Sequence, residues 1–175
     1  IVKAAPDFRI VPSLARSWEI SSDGKAITFR LPSGAKFHDG TDVTAEAVKW
    51  HYDRVLDPDV TSTGVVATIR SIVDSVVVND TLTFTFNLTA PDRSFLSALI
   101  DFPGAVASPT AVLEANSYSD PTGEFGRNPV GAGAFMFESW APDQSVKVTR
   151  NPNYFLEGLP YLDSIIYQHI PDPQT

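Results

Sequence analysis

The sequence contains no cysteine, which excludes thiolate metal sites, disulfide frameworks and cysteine nucleophiles together. It also lacks any stretch that approaches the roughly 18 consecutive apolar residues of a membrane-spanning helix. Basic residues are few, because 13 Lys and Arg are scattered singly among 21 Asp and Glu, for a net charge of −8. Since binding to a phosphate backbone requires clustered positive charge, we expect no nucleic-acid partner.

Motifs of catalysis and metal binding are missing as well. His38, His51 and His169 lie far apart, and none stands at the spacing of a zinc motif. The sequence has no G-x-S-x-G elbow, S-x-x-K motif or P-loop. The segment 131–133 (G-A-G) begins like a dinucleotide fingerprint, but it lacks the third glycine and precedes a predicted strand. We therefore predict a protein that is not an enzyme and that holds no metal or cofactor.

What the sequence does contain is enough apolar material for a packed core, with 43% hydrophobic and 19% charged residues. Fourteen prolines and ten glycines divide the chain into short elements. Alternating apolar residues predict one hairpin of strands 17–20 and 26–31 around Asp23-Gly24. They predict a second hairpin, with one half-buried face, of strands 75–78 and 82–88. Three more strands are predicted over 134–140, 145–150 and 165–171.

The clearest predicted helix opens at Thr44, whose side chain can cap it, and ends before Pro58. Its buried stripe is formed by residues at helical spacing, with His51 at the edge. The members of that stripe are Ala45, Val48, Tyr52 and Val55. Shorter helices are predicted over 65–73, 94–100 and 110–115, so that the fold class is α+β.

Several segments carry longer motifs, in order along the chain. They are P-S-L-A-R-S-W-E-I-S-S-D-G (12–24), G-A-K-F-H-D-G-T (34–41), V-T-A-E-A-V (43–48), N-P-V-G-A-G-A-F (128–135) and R-N-P-N-Y (150–154). Together they resemble the extracellular solute-binding proteins of family 5, the oligopeptide-, dipeptide- and nickel-binding components of ABC importers. One departure is the alanine at 132, where the family usually has threonine.

The resemblance implies part of a periplasmic-binding-protein-like class II fold. We expect a small N-terminal subdomain of hairpins and helices over 1–127, and an incomplete return into lobe I over 128–175. Members of full length are much longer and close two lobes around a ligand, so the chain is expected to be a fragment with an incomplete binding site.

The function that the resemblance implies is capture of a small peptide or similar solute for delivery to the permease subunits of an ABC importer. Nickel chelates, sugars and opines remain open as ligands. The expected location is extracytoplasmic, in the periplasm or on the outer face of the membrane, with membrane contact only through a missing N-terminal lipoprotein anchor. The alternative is a solute-sensing domain of a regulatory or fusion protein.

Two loops are the candidate ligand-binding regions by comparison with such relatives. The candidates are Thr63 and Gly64 in one loop, and Asp101, Phe102 and Pro103 in the other. By contrast, the motif residues Trp18, Asp39, Gly40 and Gly131 are expected to hold the fold, because glycines and turn aspartates usually serve backbone geometry.

Overall fold

The computed structural model describes residues 1–60, 64–100, 104–120 and 123–170. The strands are β1 (Val2–Ala4), β2 (Ile10–Pro12), β3 (Ser17–Ile20), β4 (Ala26–Arg30), β5 (Val73–Asp80), β6 (Thr83–Leu88), β7 (Phe135–Ala141), β8 (Ser145–Arg150) and β9 (Ser164–Gln168). The helices are α1 (Ala45–Leu56), α2 (Gly64–Ile72), α3 (Phe95–Ala98), α4 (Pro109–Glu114) and α5 (Glu124–Arg127).

Both predicted hairpins are confirmed, and they join into one antiparallel sheet of order β3-β4-β6-β5. The turn between β3 and β4 places Gly24 at a φ of +70°, a conformation that glycine adopts without steric cost. Phe29 of β4 pairs with Phe84 of β6, and the two rings stack at a centroid distance of 5.4 Å. The apolar face of this sheet forms the core of the N-terminal part.

Helix α1 covers that apolar face. It begins at Ala45, directly after Thr44, whose hydroxyl accepts a hydrogen bond from the Ala47 amide as the sequence predicts. Tyr52 is fully buried and meets the ring of Phe86 edge-on at 4.7 Å. The packing of α1 on the sheet therefore depends on an aromatic contact made by Tyr52, a member of the predicted buried stripe.

The expectation of a half-buried second hairpin is wrong for β6. Thr83 and Thr85 lie on the polar side of the alternation, yet both are buried. The reason is position in the sheet, because β6 lies between β4 and β5 and its polar side chains are shielded by those of its neighbours. The Thr85 hydroxyl finds partners there, in the hydroxyl of Thr28 at 2.9 Å and the side-chain oxygen of Asn79 at 2.8 Å.

Strands β1 and β2 were not predicted. They pair antiparallel in a separate two-stranded sheet, with Val2 opposite Pro12. Each is three residues long, which leaves too few positions for an alternation of apolar and polar residues to show.

The predicted strands of the C-terminal part are confirmed as a three-stranded antiparallel sheet of order β7-β8-β9. The loop 131–133 leads into β7 and faces the N-terminal part. The division of the chain at 127/128 stays a prediction.

Candidate functional site

The loop 131–133 meets the H-D-G turn of the N-terminal part, residues 38–40, through His38. The main-chain amide of His38 donates to the carbonyl of Gly131 at 2.8 Å, and the amide of Gly131 donates to Nδ1 of His38 at 3.4 Å. Because Nδ1 accepts, we assign the ring proton to Nε2, which lies 3.0 Å from the carbonyl oxygen of Gly133. Both ring nitrogens of His38 are thus engaged by main-chain groups of the same loop.

Asp39 connects the same turn to helix α4. One oxygen of its carboxylate accepts a hydrogen bond from the hydroxyl of Ser108, and the other accepts from the amide of Thr41 at 2.9 Å. Ser108 is fully buried and caps α4, since its Oγ accepts from the amide of Ala111. Partial burial raises the pKa of Asp39, but the hydrogen bonds from Ser108 and Thr41 outweigh it and the net shift is downward.

Asn151 completes the contact from the C-terminal side. Its side-chain amide donates to the carbonyl of Gly133 at 3.0 Å, and its main-chain amide donates to the carbonyl of Ala134 at 2.9 Å. The carbonyl of Gly133 therefore accepts from two side chains that lie far apart in sequence. We call this set the junction network: His38, Asp39, Ser108, Gly131, Gly133 and Asn151.

The junction network is built to hold main chain in place. Each polar side chain in it already has protein partners, and the buried hydroxyl of Ser108 is turned to the carboxylate of Asp39. Fixing the loop at both ends positions β7 relative to the H-D-G turn and α4. The roles expected for Asp39 and Gly131 in holding the fold agree with these contacts.

A cavity of about 230 Å³ lies beside the junction network. Its walls are largely apolar and include much main chain of small residues. They are formed by Ile1, Ser13, Leu14, Gly104, Ala105, Val106, Gly131, Ala132, Gly133, Tyr154 and Phe155. A space of this kind fits a small apolar group rather than a charged one.

His51 lies at the edge of the buried stripe of α1, as predicted, and is not placed to serve a ligand. Its Nδ1 accepts a hydrogen bond from the amide of Ala107 at 3.3 Å. Burial, with a smaller contribution from the charge of nearby Arg54, lowers the pKa of His51 to about 3, so the ring is neutral at pH 7. Arg54 donates to the carbonyls of Ser117 and Tyr118, which ties the segment after α4 to α1.

Most of the candidate ligand residues lie outside the described residues: Thr63, Asp101, Phe102 and Pro103. Gly64 is described and is the first residue of α2. The segment that follows 101–103, from Gly104 to Val106, forms one wall of the cavity. The role of the two loops in ligand binding remains a prediction.

Sequence reasoning missed Ser108 and Asn151 as members of a site. Ser108 stands just before the predicted helix 110–115 and Asn151 just after the predicted strand 145–150, so each indicates only the end of a local element. In the structure, the same side chains also reach residues distant in sequence, Asp39 in one case and Gly133 in the other. For Asn151, its position inside the motif R-N-P-N-Y (150–154) was the available signal.

Two kinds of structure are absent from the described ranges. No group of three or more His, Asp or Glu side chains there is arranged to hold a metal ion. No helix there combines the length and apolar character needed to cross a bilayer.

Comparisons with known proteins agree with the geometry. Residues 9–175 match the sequence model of the bacterial extracellular solute-binding proteins, family 5 Middle. The chain is 34% identical over 169 residues to the glutathione-binding protein GsiB of Pectobacterium atrosepticum. The aligned region covers 97% of this chain and 31% of the relative.

Two solved structures are similar across nearly the whole chain. One is the oligopeptide-binding protein AppA of Bacillus subtilis in complex with a nonapeptide, with a TM-score of 0.81 and 29% identity over 98% of this chain and 33% of that one. The other is NikZ of Campylobacter jejuni in complex with Ni(L-His), with a TM-score of 0.83 and 26% identity over 99% of this chain and 33% of that one. The chain thus spans about a third of the length of these relatives, and it belongs to the family 5 bacterial extracellular solute-binding proteins.

Proposed function

We propose that this chain is part of the solute-binding component of an ABC importer, which captures a peptide-like solute outside the cytoplasm and delivers it to the permease. The observation that carries the proposal is the family match over residues 9–175, supported by structural similarity to binding proteins that hold a nonapeptide or Ni(L-His). Its relatives are binding proteins, in keeping with a role that requires no catalysis.

The chain alone is proposed to supply one wall of the binding site. The resemblance to family 5 implies a ligand enclosed between two lobes. The relatives are about three times as long as this chain, since the chain spans 31% of the glutathione-binding relative. A small solute gains affinity mainly when most of its surface is buried. The cavity beside the junction network is too small and too apolar to enclose a peptide by itself.

The loops at Thr63-Gly64 and at Asp101-Phe102-Pro103 are the proposed contacts to the solute. The second loop leads directly into Gly104, Ala105 and Val106, which form a wall of the cavity. Asp101 and Phe102 would supply one acidic and one apolar contact, a combination suited to a ligand with both an amine and a side chain.

Isothermal titration calorimetry tests the proposal. The 175-residue chain and the longer polypeptide that contains it are each titrated with glutathione, a dipeptide, a nonapeptide and Ni(L-His). We expect tight binding of at least one of these by the longer polypeptide and none by the 175-residue chain. Absence of binding by the longer polypeptide to the whole set, and to whatever solute mass spectrometry finds co-purifying, would contradict the proposal.

The loop contacts are tested separately in the longer polypeptide. Phe102→Ala and Asp101→Asn should weaken binding of the solute, while Asp23→Asn in the first hairpin should leave it unchanged. Equal affinity in all the variants would rule out the 101–103 loop as part of the site.

A further inference from the structure

The hairpin of β1 and β2 displays a phenylalanine at its tip. The Phe8 amide donates a hydrogen bond to the carbonyl of Ala5 at 2.9 Å, and the Ala5 amide donates to the carbonyl of Arg9 at 2.8 Å, which closes a loop over residues 6–8. A hairpin loop of this length typically ends with a residue in the left-handed conformation, and Phe8 takes that position with a φ of +64°. We call residues 5–9 the tip loop.

A left-handed backbone conformation is unusual for a phenylalanine. Glycine adopts it without steric cost, whereas a bulky residue brings its Cβ atom too close to the main chain. Within the described ranges, the other residues at positive φ are glycines or the short polar residues Asn116 and Asp143, which tolerate it. Phe8 is therefore a backbone outlier, and strained residues of this kind cluster at functional sites.

The strain at Phe8 is not offset by packing of its side chain. Phe8 is 88% exposed, more than any other large apolar residue in the described ranges. The base of the same hairpin is fixed, because Val2 is only 4% exposed and the amide of Ala15 donates to the carbonyl of Ile1 at 3.0 Å. An anchored hairpin thus holds an aromatic ring in solvent, where the ring contributes nothing to the core.

The charged neighbours of Phe8 in the tip loop neutralise each other. Nε of Arg9 lies 2.6 Å from one carboxylate oxygen of Asp7, and the amide of Arg9 donates to the other oxygen at 3.3 Å. The tip loop therefore presents an apolar ring bordered by a paired acid and base. An aromatic anchor surrounded by a polar rim is the pattern of the residues that dominate binding in protein–protein interfaces.

We propose that Phe8 is an anchor residue that docks into an apolar pocket on the permease of the importer. The inference rests on the proposed function, because delivery of a solute to a permease supplies this protein partner. A bilayer surface fits the tip loop less well, since insertion of Phe8 would draw the ionised pair of Asp7 and Arg9 into the membrane interface. A pocket on a protein can enclose the ring and leave the ion pair at its rim.

A photoreactive side chain at position 8 identifies the partner. In the longer polypeptide, Phe8 is replaced by p-benzoylphenylalanine, which keeps an aromatic ring there, and the protein is irradiated together with its importer in proteoliposomes. We expect a covalent adduct with a permease subunit, identified by mass spectrometry. The same replacement at Leu113, which is 56% exposed in α4, is the matched control and should give several-fold less adduct. Equal yields from the two positions, or an adduct only with lipid or with a second copy of the polypeptide, would overturn the inference.

Phe8→Asn separates docking from folding. Asn tolerates the left-handed conformation, so the melting temperature of the 175-residue variant should equal that of the unchanged chain or exceed it by up to about 4 °C. In the longer polypeptide, solute affinity should stay the same, while the concentration needed for half-maximal stimulation of ATP hydrolysis by the importer should rise about tenfold or more. Phe8→Tyr keeps the ring and should stay close to the unchanged protein. If Phe8→Asn stimulated the importer at the same concentration as the unchanged polypeptide, the inference would be wrong.

Solute binding, measured on the same preparations, distinguishes failure of this inference from failure of the proposed function. A longer polypeptide that binds no solute but still forms the permease adduct from position 8 supports the anchor and counts against the proposed function alone. Normal solute binding and stimulation, with no loss in Phe8→Asn, counts against the anchor alone. A longer polypeptide that neither stimulates the importer nor forms the adduct contradicts both.

Discussion

At the scale of single residues, His51 couples the stability of the fold to pH. Its ring is buried and neutral, with a pKa lowered to about 3, against 6.5 for the same group in the unfolded chain. Between these values the unfolded state binds a proton that the folded state excludes, so this contribution to stability is complete above pH 6.5 and is lost as the pH falls toward 3. The expected slope below pH 6 approaches about 1.4 kcal/mol per pH unit.

Replacing His51 by Asn isolates this effect, because the Asn side-chain oxygen can accept the hydrogen bond of the Ala107 amide but does not titrate. We expect His51→Asn to flatten the dependence of the free energy of unfolding on pH between 7 and 4.5, measured by urea denaturation at each pH. Since the carboxylates are the same in both proteins, the difference between them reports on His51. If the free energies of unfolding of the two proteins changed with pH in parallel, the ring of His51 would take up a proton as readily in the folded protein as in the unfolded chain.

At Gly104 an added side chain would meet the main chain at very short range. A Cβ atom there would lie 1.8 Å from the carbonyl oxygen of Leu99, so Gly104→Ala forces the backbone to move. We expect a loss of about 1–3 kcal/mol in the free energy of unfolding, typical of overpacking. Gly131→Ala is the matched control on the same cavity, because its Cβ would lie 3.6 Å from the carbonyl of Val106. If the Gly104→Ala protein were as stable as the Gly131→Ala protein, the main chain at Gly104 and the carbonyl of Leu99 would not be this close.

At the scale of elements, the bond between Asp39 and Ser108 joins the H-D-G turn to the first turn of α4. Asp39→Ala leaves the buried hydroxyl of Ser108 without that acceptor, and the expected cost is about 1–3 kcal/mol. The loss should be local as well as global, because Ser108 also caps the helix through the Ala111 amide. Hydrogen exchange should therefore become faster at Ala111.

Asp23→Ala is the control for this change. Asp23 lies in the same kind of Asp-Gly turn, but its bonds to Ser21 and Lys25 stay within the first hairpin. Its replacement should leave the exchange of Ala111 unchanged. If Asp39→Ala also left it unchanged, Asp39 would not be supporting the cap of α4.

The elements that the sequence predicts correctly are those that contain local turn residues or helix-capping residues. The hairpin at Asp23-Gly24 and the start of α1 at Thr44 follow from local turn and cap chemistry, and both are present. The burial of Thr85 could not be predicted, because alternation does not tell a central strand from an edge strand. The three-residue strands β1 and β2 are too short to leave any pattern.

The same limit applies to the junction network. The sequence marks His38, Asp39 and Gly131 as motif residues, but their partners are set by tertiary structure. Gly133 and Asn151 approach each other because β7 and β8 pair, and the carbonyl of Gly133 reaches His38 only once the C-terminal sheet is in place. Local spacing carries no information on such contacts.

At the scale of the whole molecule, apolar burial is uneven. Most of the fully buried large side chains lie in the four-stranded sheet and in the helices of the N-terminal part, among them Phe29, Tyr52 and Phe86. The β7-β8-β9 sheet contributes none of these, and its strands are at most half-buried. The N-terminal part therefore has its own core, whereas the C-terminal sheet is joined to that part through the junction network.

This difference predicts how the chain behaves when it is divided at the predicted boundary of 127/128. A small sheet without a packed layer is marginal in water, so residues 128–175 alone should show no cooperative thermal transition by circular dichroism. Residues 1–127 should still unfold cooperatively, but at a lower temperature than the whole chain. The reason is that they lose two sets of hydrogen bonds, those of His38 to Gly131 and Gly133 and that of the Ser108 amide to the carbonyl of Val130. If the junction network holds the two pieces together, mixing them should raise the unfolding temperature of residues 1–127 part of the way toward that of the whole chain. Cooperative unfolding of 128–175 by itself would mean that the C-terminal sheet has a core of its own, and loss of folding in 1–127 would place the boundary elsewhere.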